Sequence, residues 1–374
     1  MLKHTEVSLQ GSCGNQYGQD EHGMPKHACI YVAGHRGLVG SAVVRQLQAH
    51  GYHNLRLPTS QALDLTDQRA VNAFFESERP AYVFLCAAKV GGIKANATQP
   101  ADFIYQNLMI QTNVIHAAFK NNVQRLIFLG SSCIYPKLCP QPIQEKYLLT
   151  GPLEPTNRPY ALAKISGIEM CWSYNRQFGT KFLTAMPTNL YGPNDNFDLQ
   201  NSHVLPAIMR KMHAAKEAFE GDSSRSNAQA ESCASGASVK LWGSGRARRE
   251  FLHVDDLAQA LLCLLNLPES SFASLCDSKE EPPILNVGCG QDLSIAELAA
   301  LMAQIVGFSG RLEWDTSQPD GTPQKLLDIS RLKALGWRPQ ISLEQGIADT
   351  YHLVKEKLSR LNQPLAGRTY KAAL

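Results

Sequence analysis

The chain has 374 residues, long enough for one large α/β domain with a smaller lobe, or for two domains. With 44% hydrophobic and 18% charged residues, and Lys+Arg 36 against Asp+Glu 33, its net charge is only +3, so neither nucleic acid nor an anionic membrane is implied as its main partner. Its ten cysteines contain no Cys-x-x-Cys pair; this argues against a metal site and fits free thiols in a reducing, cytoplasmic setting.

Residues 1–26 mix Glu6, Asp20 and Glu21 with glycine and glutamine and have no apolar core. They read as a disordered extension, not as a secretory signal or transit peptide. His27 to Ala33 (HACIYVA) is an apolar run that predicts a strand, followed by Gly34-His35-Arg36-Gly37-Leu38-Val39-Gly40 and a helical pattern from Leu38 to Gln48. Strand, glycine turn and helix in that order make a dinucleotide site, because glycine admits a pyrophosphate close to the backbone and the helix N-terminus offers free N–H groups. Arg36 lies inside the turn, and Leu57-Pro58-Thr59-Ser60 supplies no carboxylate after the second strand. The cofactor read from these residues is therefore NADP (NADPH) and not NAD.

A second unit follows: a short strand over 54–57, a helix over 67–78 and a buried strand over 81–88 (AYVFLCAA). Then come a helix over 105–121, a strand over 125–129 ending at Gly130-Ser131-Ser132-Cys133, a helix over 160–178 and a strand over 182–186. This alternation predicts a doubly wound parallel α/β sheet of the Rossmann type. Beyond Tyr191 the pattern loosens, as in a smaller α/β C-terminal substrate lobe. Short strands are predicted at 239–242, 284–287 and 311–314, and a helix over 294–306 opens with a Ser294/Glu297 capping box. Residues 217–238 are rich in Ser, Ala and Gly and read as a flexible insertion. The apolar run from Leu257 to Leu267 is far short of the ~20 residues that span a bilayer.

In Tyr160-Ala161-Leu162-Ala163-Lys164 the spacing puts phenol and ammonium on one helix face, where the cation favours the ionised phenol. Bringing a phenol from ~10 to near neutrality takes roughly 4 kcal/mol, within reach of one lysine plus a cofactor's positive charge. Spacing alone is weak, since Tyr351 and Lys355 repeat it in a C-terminal helix that reads as a solvated face. Ser131 makes the difference: at the carboxyl edge of the sheet it can hold a carbonyl oxygen beside the phenol. Cys133, two residues on, lies in a positive neighbourhood that favours a thiolate. On residues alone, however, it also reads as a small buried hydrophobe, and His203 as an ordinary loop or core histidine.

These motifs, with Ala87-Ala88-Lys89-Val90-Gly91-Gly92-Ile93, Pro187-Thr188-Asn189-Leu190-Tyr191-Gly192-Pro193 and Arg249-Glu250-Phe251-Leu252-His253-Val254-Asp255-Asp256, resemble the GDP-L-fucose synthase family of extended short-chain dehydrogenase/reductases. The resemblance runs from about Cys29 to Lys357. It implies an NADPH-dependent 3,5-epimerase and 4-reductase acting on a GDP-4-keto-6-deoxy sugar, with Ser131, Tyr160 and Lys164 as the reductase triad and Cys133 and His203 as epimerisation base and acid. It also implies cofactor contacts from the 34–40 turn, Asp64, Leu65, Ala87, Leu129, Gly130, Ser131, Ser132, Tyr160, Lys164, Pro187, Thr188, Asn189, Leu190 and His203. Lys211, Trp242, Arg249 and Asp320 would surround the GDP-sugar, and the chain would pair as a homodimer. On this reading 27–192 is mainly the NADP-binding domain, while 193–374 is mainly the nucleotide-sugar lobe with some segments returning to the first. Pro58 and Ser60 stand where relatives can carry basic residues, so the 2′-phosphate would rest more on Arg36.

Overall fold

The computed structural model describes residues 23–199, 201–223, 238–318 and 320–362. The first lobe contains β1 (Ile30–Ala33), α1 (Leu38–Ala49), β2 (Leu55–Arg56), α2 (Gln68–Glu78), β3 (Tyr82–Leu85), α3 (Ile93–Thr98), α4 (Pro100–Lys120), β4 (Arg125–Leu129), α5 (Arg158–Phe178) and β5 (Phe182–Pro187). Beyond these lie β6 (Asn189–Tyr191), α6 (Val204–Ser223), β7 (Ser238–Trp242), β8 (Arg248–His253), α7 (Val254–Leu265), α8 (Glu269–Cys276) and β9 (Ile284–Val287). The described chain closes with β10 (Asp292–Ser294), α9 (Ile295–Val306), β11 (Arg311–Asp315), β12 (Gln324–Lys325), α10 (Ser330–Ala334) and α11 (Leu343–Asn362).

Six parallel strands form one sheet in the order β2-β1-β3-β4-β5-β9. Its strands are apolar on both faces because helices cover both. Ile30 and Val32 of β1 pack with α1 and α7 on one side, whereas Tyr31 and Ala33 pack on the other among residues of α2, α4 and α5. The apolar run at 257–267 thus serves as a buried helix against α1. No helix among the described residues is long and apolar enough to cross a membrane. The strand order reverses between β1 and β3, so the loops leaving those two strands splay apart and open a crevice at the carboxyl edge.

A second core gathers Tyr191, Phe197, Met209, Met212, Leu298, Met302, Ile347 and Leu358 under α6, α9 and α11. Strand β8 organises this lobe, pairing with β6, β10 and β12, while β7 pairs with β11. The capping box of α9 forms: Ser294 Oγ accepts from Glu297 N at 3.1 Å, and the Glu297 carboxylate accepts from Ser294 N at 2.7 Å.

Several boundaries differ from the sequence reading. Most of the 1–26 extension lies outside the described residues, but Met24 is buried; its carbonyl accepts from the Tyr52 hydroxyl, and its N–H donates to Asn266. The insertion read as 217–238 begins later, because α6 continues through Glu217 to Ser223, supported by i,i+4 pairs His213–Glu217 and Lys216–Glu220. Residues 224–237 lie outside the description. Helix α4 starts at Pro100 and not at 105, since proline suits a first helical position that needs no donor. Tyr351 is no solvated residue either: its hydroxyl meets His213 Nδ1 at 2.9 Å, and Lys355 alone is exposed.

Candidate active site

The crevice is a cavity of about 1100 Å³ that runs from the 34–40 turn across the sheet edge to β8 and β12. Every residue singled out for cofactor, catalysis or substrate in the sequence lines it.

At one end, Gly34 takes φ +80° and its missing Cβ leaves room for Ala87 N, which a methyl group would approach to 2.8 Å. Gly40 is closed on by Gly34 O in the same way, at 2.2 Å. The turn can therefore be tight only with glycine at both places. Gly37 caps α1 without a side-chain bond, leaving the helix N–H groups to a ligand, and Arg36 is exposed beside them. Pro58, Thr59 and Ser60 line the adjoining wall with no carboxylate among them. This cradle fits a dinucleotide with an extra phosphate. Asp64 is occupied by Thr66, whose N–H and hydroxyl both donate to it at 2.8 Å and hold its pKa below the usual carboxylate range.

In mid-cavity, β4 ends at Leu129 and the chain turns through Ser131, whose Oγ accepts from Cys133 N at 3.3 Å and lies 3.1 Å from Cys133 Sγ, within donating distance. Asn157, next to the start of α5, donates from Nδ2 to Cys133 O at 3.3 Å. Tyr160 and Lys164 sit on the inner face of α5, both buried. The lysine makes no hydrogen bond to the phenol oxygen. Its Nζ donates to Leu129 O at 2.8 Å and stands 5.9 Å from the Tyr160 ring centre. Burial holds the phenol well above its ordinary range; the Cys133 charge pushes it further up, and the hydrogen bond to Ser131 opposes only in part. Burial brings Lys164 down to about 8 against the pull of Cys86 and Cys133. A near-neutral phenol, expected from the spacing, is therefore not produced by these side chains on their own: removal from water outweighs one partly satisfied ammonium.

His203 precedes α6 and lines the cavity; partial removal of the ring from water within the cavity and the charge of Lys325 both lower its basicity. Its loop is clasped to the other lobe, since Gly92 N donates to Asn201 O at 3.2 Å. Pro187 to Leu190 run beneath, with Thr188 Oγ1 and Asn189 Nδ2 both donating to Glu250 O.

At the far end, Lys211 donates to Lys240 O at 2.9 Å and Trp242 presents a half-exposed ring. Arg249 donates to Arg248 O and Asp320 O, and burial lowers its basicity while Asp320 raises it. The Asp320 carboxylate accepts from Ser244 N at 2.6 Å and Ser244 Oγ at 2.8 Å, so it shapes the rim, with the cations Lys211 and Arg249 lining the same end of the cavity.

Among the lining residues that escaped the sequence reading are Lys325 and Asn157. Neither has a local signal. Lys325 is brought in by a two-residue strand paired across 76 positions, and Asn157 reads only as a polar residue ahead of a helix. Among the described residues no cluster of His, Cys, Asp or Glu could hold a metal ion.

The model of the NAD dependent epimerase/dehydratase family matches residues 30–288. GDP-L-fucose synthase 1 of Arabidopsis thaliana is 54% identical over 326 residues, 87% of this chain and 93% of that one. GDP-L-fucose synthase of Escherichia coli K12 is 52% identical over 331 residues, 88% and 98% respectively. Among solved structures, a GDP-mannoheptose C4 reductase from Campylobacter jejuni with NADP bound superposes with TM-score 0.78 at 44% identity, covering 89% of this chain and all of that one.

Proposed function

The chain belongs to the NAD dependent epimerase/dehydratase family, in its GDP-L-fucose synthase branch, and from that premise we propose that it converts GDP-4-keto-6-deoxy-D-mannose to GDP-L-fucose with NADPH. The observation that carries this reading is one cavity lined by Ser131, Tyr160 and Lys164 together with Cys133 from the first lobe and His203 from the start of α6.

The residues divide the work. Lys211 and Arg249 hold the diphosphate, Trp242 gives the nucleotide a flat surface, and the 34–40 turn with Arg36 receives the dinucleotide. Ser131 and Tyr160 hold the C4 ketone oxygen, which acidifies the protons on C3 and C5. Cys133 Sγ takes one of those protons and the C–H electron pair moves into the enolate. His203 then gives a proton to the opposite face of the carbon, inverting it. Sulfur and imidazole regain their starting states by exchange with water, so no net oxidation accompanies this half. Tyr160 finally protonates the C4 oxygen, its hydroxyl replenished from the side of Lys164. When bound, NADPH supplies the hydride that C4 accepts.

The free thiols support a reducing, cytoplasmic setting: no two described cysteines form a disulfide. Tyr105 and Leu162, exposed on α4 and α5, support pairing of these helices with a second copy, which sedimentation would register as twice the 41.1 kDa chain. For the reaction itself, the product should be GDP-L-fucose with one NADPH oxidised per molecule, and NADH should be a poor replacement. Turnover with no net consumption of NADPH would instead indicate a nucleotide-sugar 4-epimerase or dehydratase of the same superfamily.

A further inference from the structure

Asn286 is an amide in an otherwise apolar strand: β9 reads Ile-Leu-Asn-Val and is buried throughout, at the edge of the central sheet beside β5. A buried amide is tolerated only where its polar positions find partners, and this one is fully engaged. Nδ2 donates to Ile143 O at 2.8 Å and to Asp328 O at 3.1 Å, Oδ1 accepts from the Tyr135 hydroxyl at 2.7 Å, and the backbone N–H donates to Glu145 Oε1 at 3.0 Å. Tyr135, Ile143 and Glu145 all belong to the loop that leaves β4 through Ser131 and Cys133, whereas Asp328 follows β12. Loop and β12 are also tied directly, since Ile143 N donates to Leu326 O at 2.7 Å and Asp328 N to Ile143 O at 2.9 Å.

Cys133 sits in a single turn of 3₁₀ helix, Ser132–Ile134. Such a turn has poor hydrogen-bond geometry and keeps its shape only with help from outside. The bonds to its own backbone are long: Ile134 N to Ser131 O at 3.2 Å, Cys133 N to Ser131 Oγ at 3.3 Å and Asn157 Nδ2 to Cys133 O at 3.3 Å. Tyr135, which ends the turn, is buried, and its 2.7 Å bond to Asn286 ties the turn to the sheet. Ser131 is held from the other side, where β4 ends and Gly130 N donates to Ala185 O of β5 at 2.9 Å. The serine thus takes its place from β4 and β5, and the cysteine from the Tyr135–Asn286 bond to β9.

We propose that Asn286 is a positioning residue of the epimerisation half: through the Tyr135 hydroxyl it fixes where the Cys133 sulfur stands in the cavity. This rests on the base role given to Cys133 above. A group that takes a proton from carbon must be held to within about 0.5 Å of its working place, and a fully satisfied buried amide supplies that stiffness where a lone 3₁₀ turn does not. The same side chain also ties Asp328 to Ile143, so the loop bearing the sulfur and the segment after β12 share one anchor. Tyr135→Phe removes only the hydroxyl, keeps the ring in place and leaves Asn286 Oδ1 without its donor. The carbonyl site of Ser131, Tyr160 and Lys164, set by β4 and α5, keeps its geometry.

The test separates position from stability. The full chain is incubated in deuterated water with GDP-4-keto-6-deoxy-mannose, first with oxidised NADP, to follow label entering C3 and C5 by NMR, and then with NADPH, to analyse the reduced product. Tyr135→Phe should slow exchange about tenfold and raise the share of reduced product that keeps protium at C3 or C5, because reduction now overtakes inversion. Asn286→Ala should shift both in the same direction, and it serves where Tyr135→Phe gives no folded protein. Exchange and reduction falling by one factor, with no protium-bearing product, is what lost stability alone would give and overturns the proposal, as does unaltered exchange. Alkylation of Cys133 by iodoacetamide, read by peptide mass without any substrate, gives a second measure: freeing the turn should speed it several-fold, and an unchanged rate counts against the proposal. If the unsubstituted protein shows no exchange, the epimerase reading fails, and the alkylation rates still decide whether Asn286 holds the sulfur.

Discussion

At the scale of single residues, the buried charge of Lys164 decides how the site behaves with pH. Its folded-state value of about 8 lies below the ordinary 10.5, so below pH 8 both folded and unfolded chains carry the proton and the fold bears the whole cost of burying it, about 3 kcal/mol. Between about 8 and 10.5 the unfolded chain holds more protons, and stability rises with pH. Lys164→Met should therefore unfold at higher denaturant than the unsubstituted protein at pH 7, with the advantage shrinking as pH rises toward 10.5, and should lose C4 reduction. Urea titrations at pH 7 and 10 check this, and an advantage that widens with pH contradicts it. The Tyr160–Lys164 motif was legible because helical spacing is local. Its electrostatic balance was not, because that depends on Phe128, Leu129 and Cys86 arriving from other strands.

At the scale of elements, the loop after β3 acts on a residue more than a hundred positions away. Asn96 Nδ2 donates to Gly91 O at 2.8 Å and Gly92 O at 3.1 Å, stiffening the loop, and Gly92 N in turn holds Asn201 O. A Cβ at Gly92 would stand 2.9 Å from Ser202 O, next to His203, so Gly92→Ala must push the 201–203 loop outward. A displacement of a few tenths of an ångström at a proton donor should lower C3/C5 exchange about tenfold while NADPH affinity stays near its original value. Exchange rates paired with cofactor fluorescence titration test it, and equal losses in both would show general damage. The sequence marked Gly91-Gly92 as a motif but gave no reason for it. The reason lies in a contact between lobes, which no periodicity encodes. The same holds for β12, too short to show any pattern, whereas β1, β3, β4 and β5 were readable because strands buried on both faces are almost wholly apolar, Arg125 and Thr184 being the exceptions in β4 and β5.

At the scale of the whole molecule, the two lobes supply different halves of the chemistry. The doubly wound sheet brings the 34–40 turn, Ser131, Cys133, Tyr160 and Lys164 to its carboxyl edge, and the second lobe closes over them with His203, Lys211, Arg249 and Lys325. The superfamily resemblance needed only the first set. The proposed pairing of Cys133 in one lobe with His203 in the other is what the epimerase half needs, so inversion of two carbons is the central claim. Running the complete reaction in deuterated water with NADPH and reading the product by mass and NMR tests it most directly. The account predicts GDP-L-fucose carrying solvent deuterium at both C3 and C5, with the hydrogen from NADPH at C4; a reduced product with protium at C3 and C5 would contradict it.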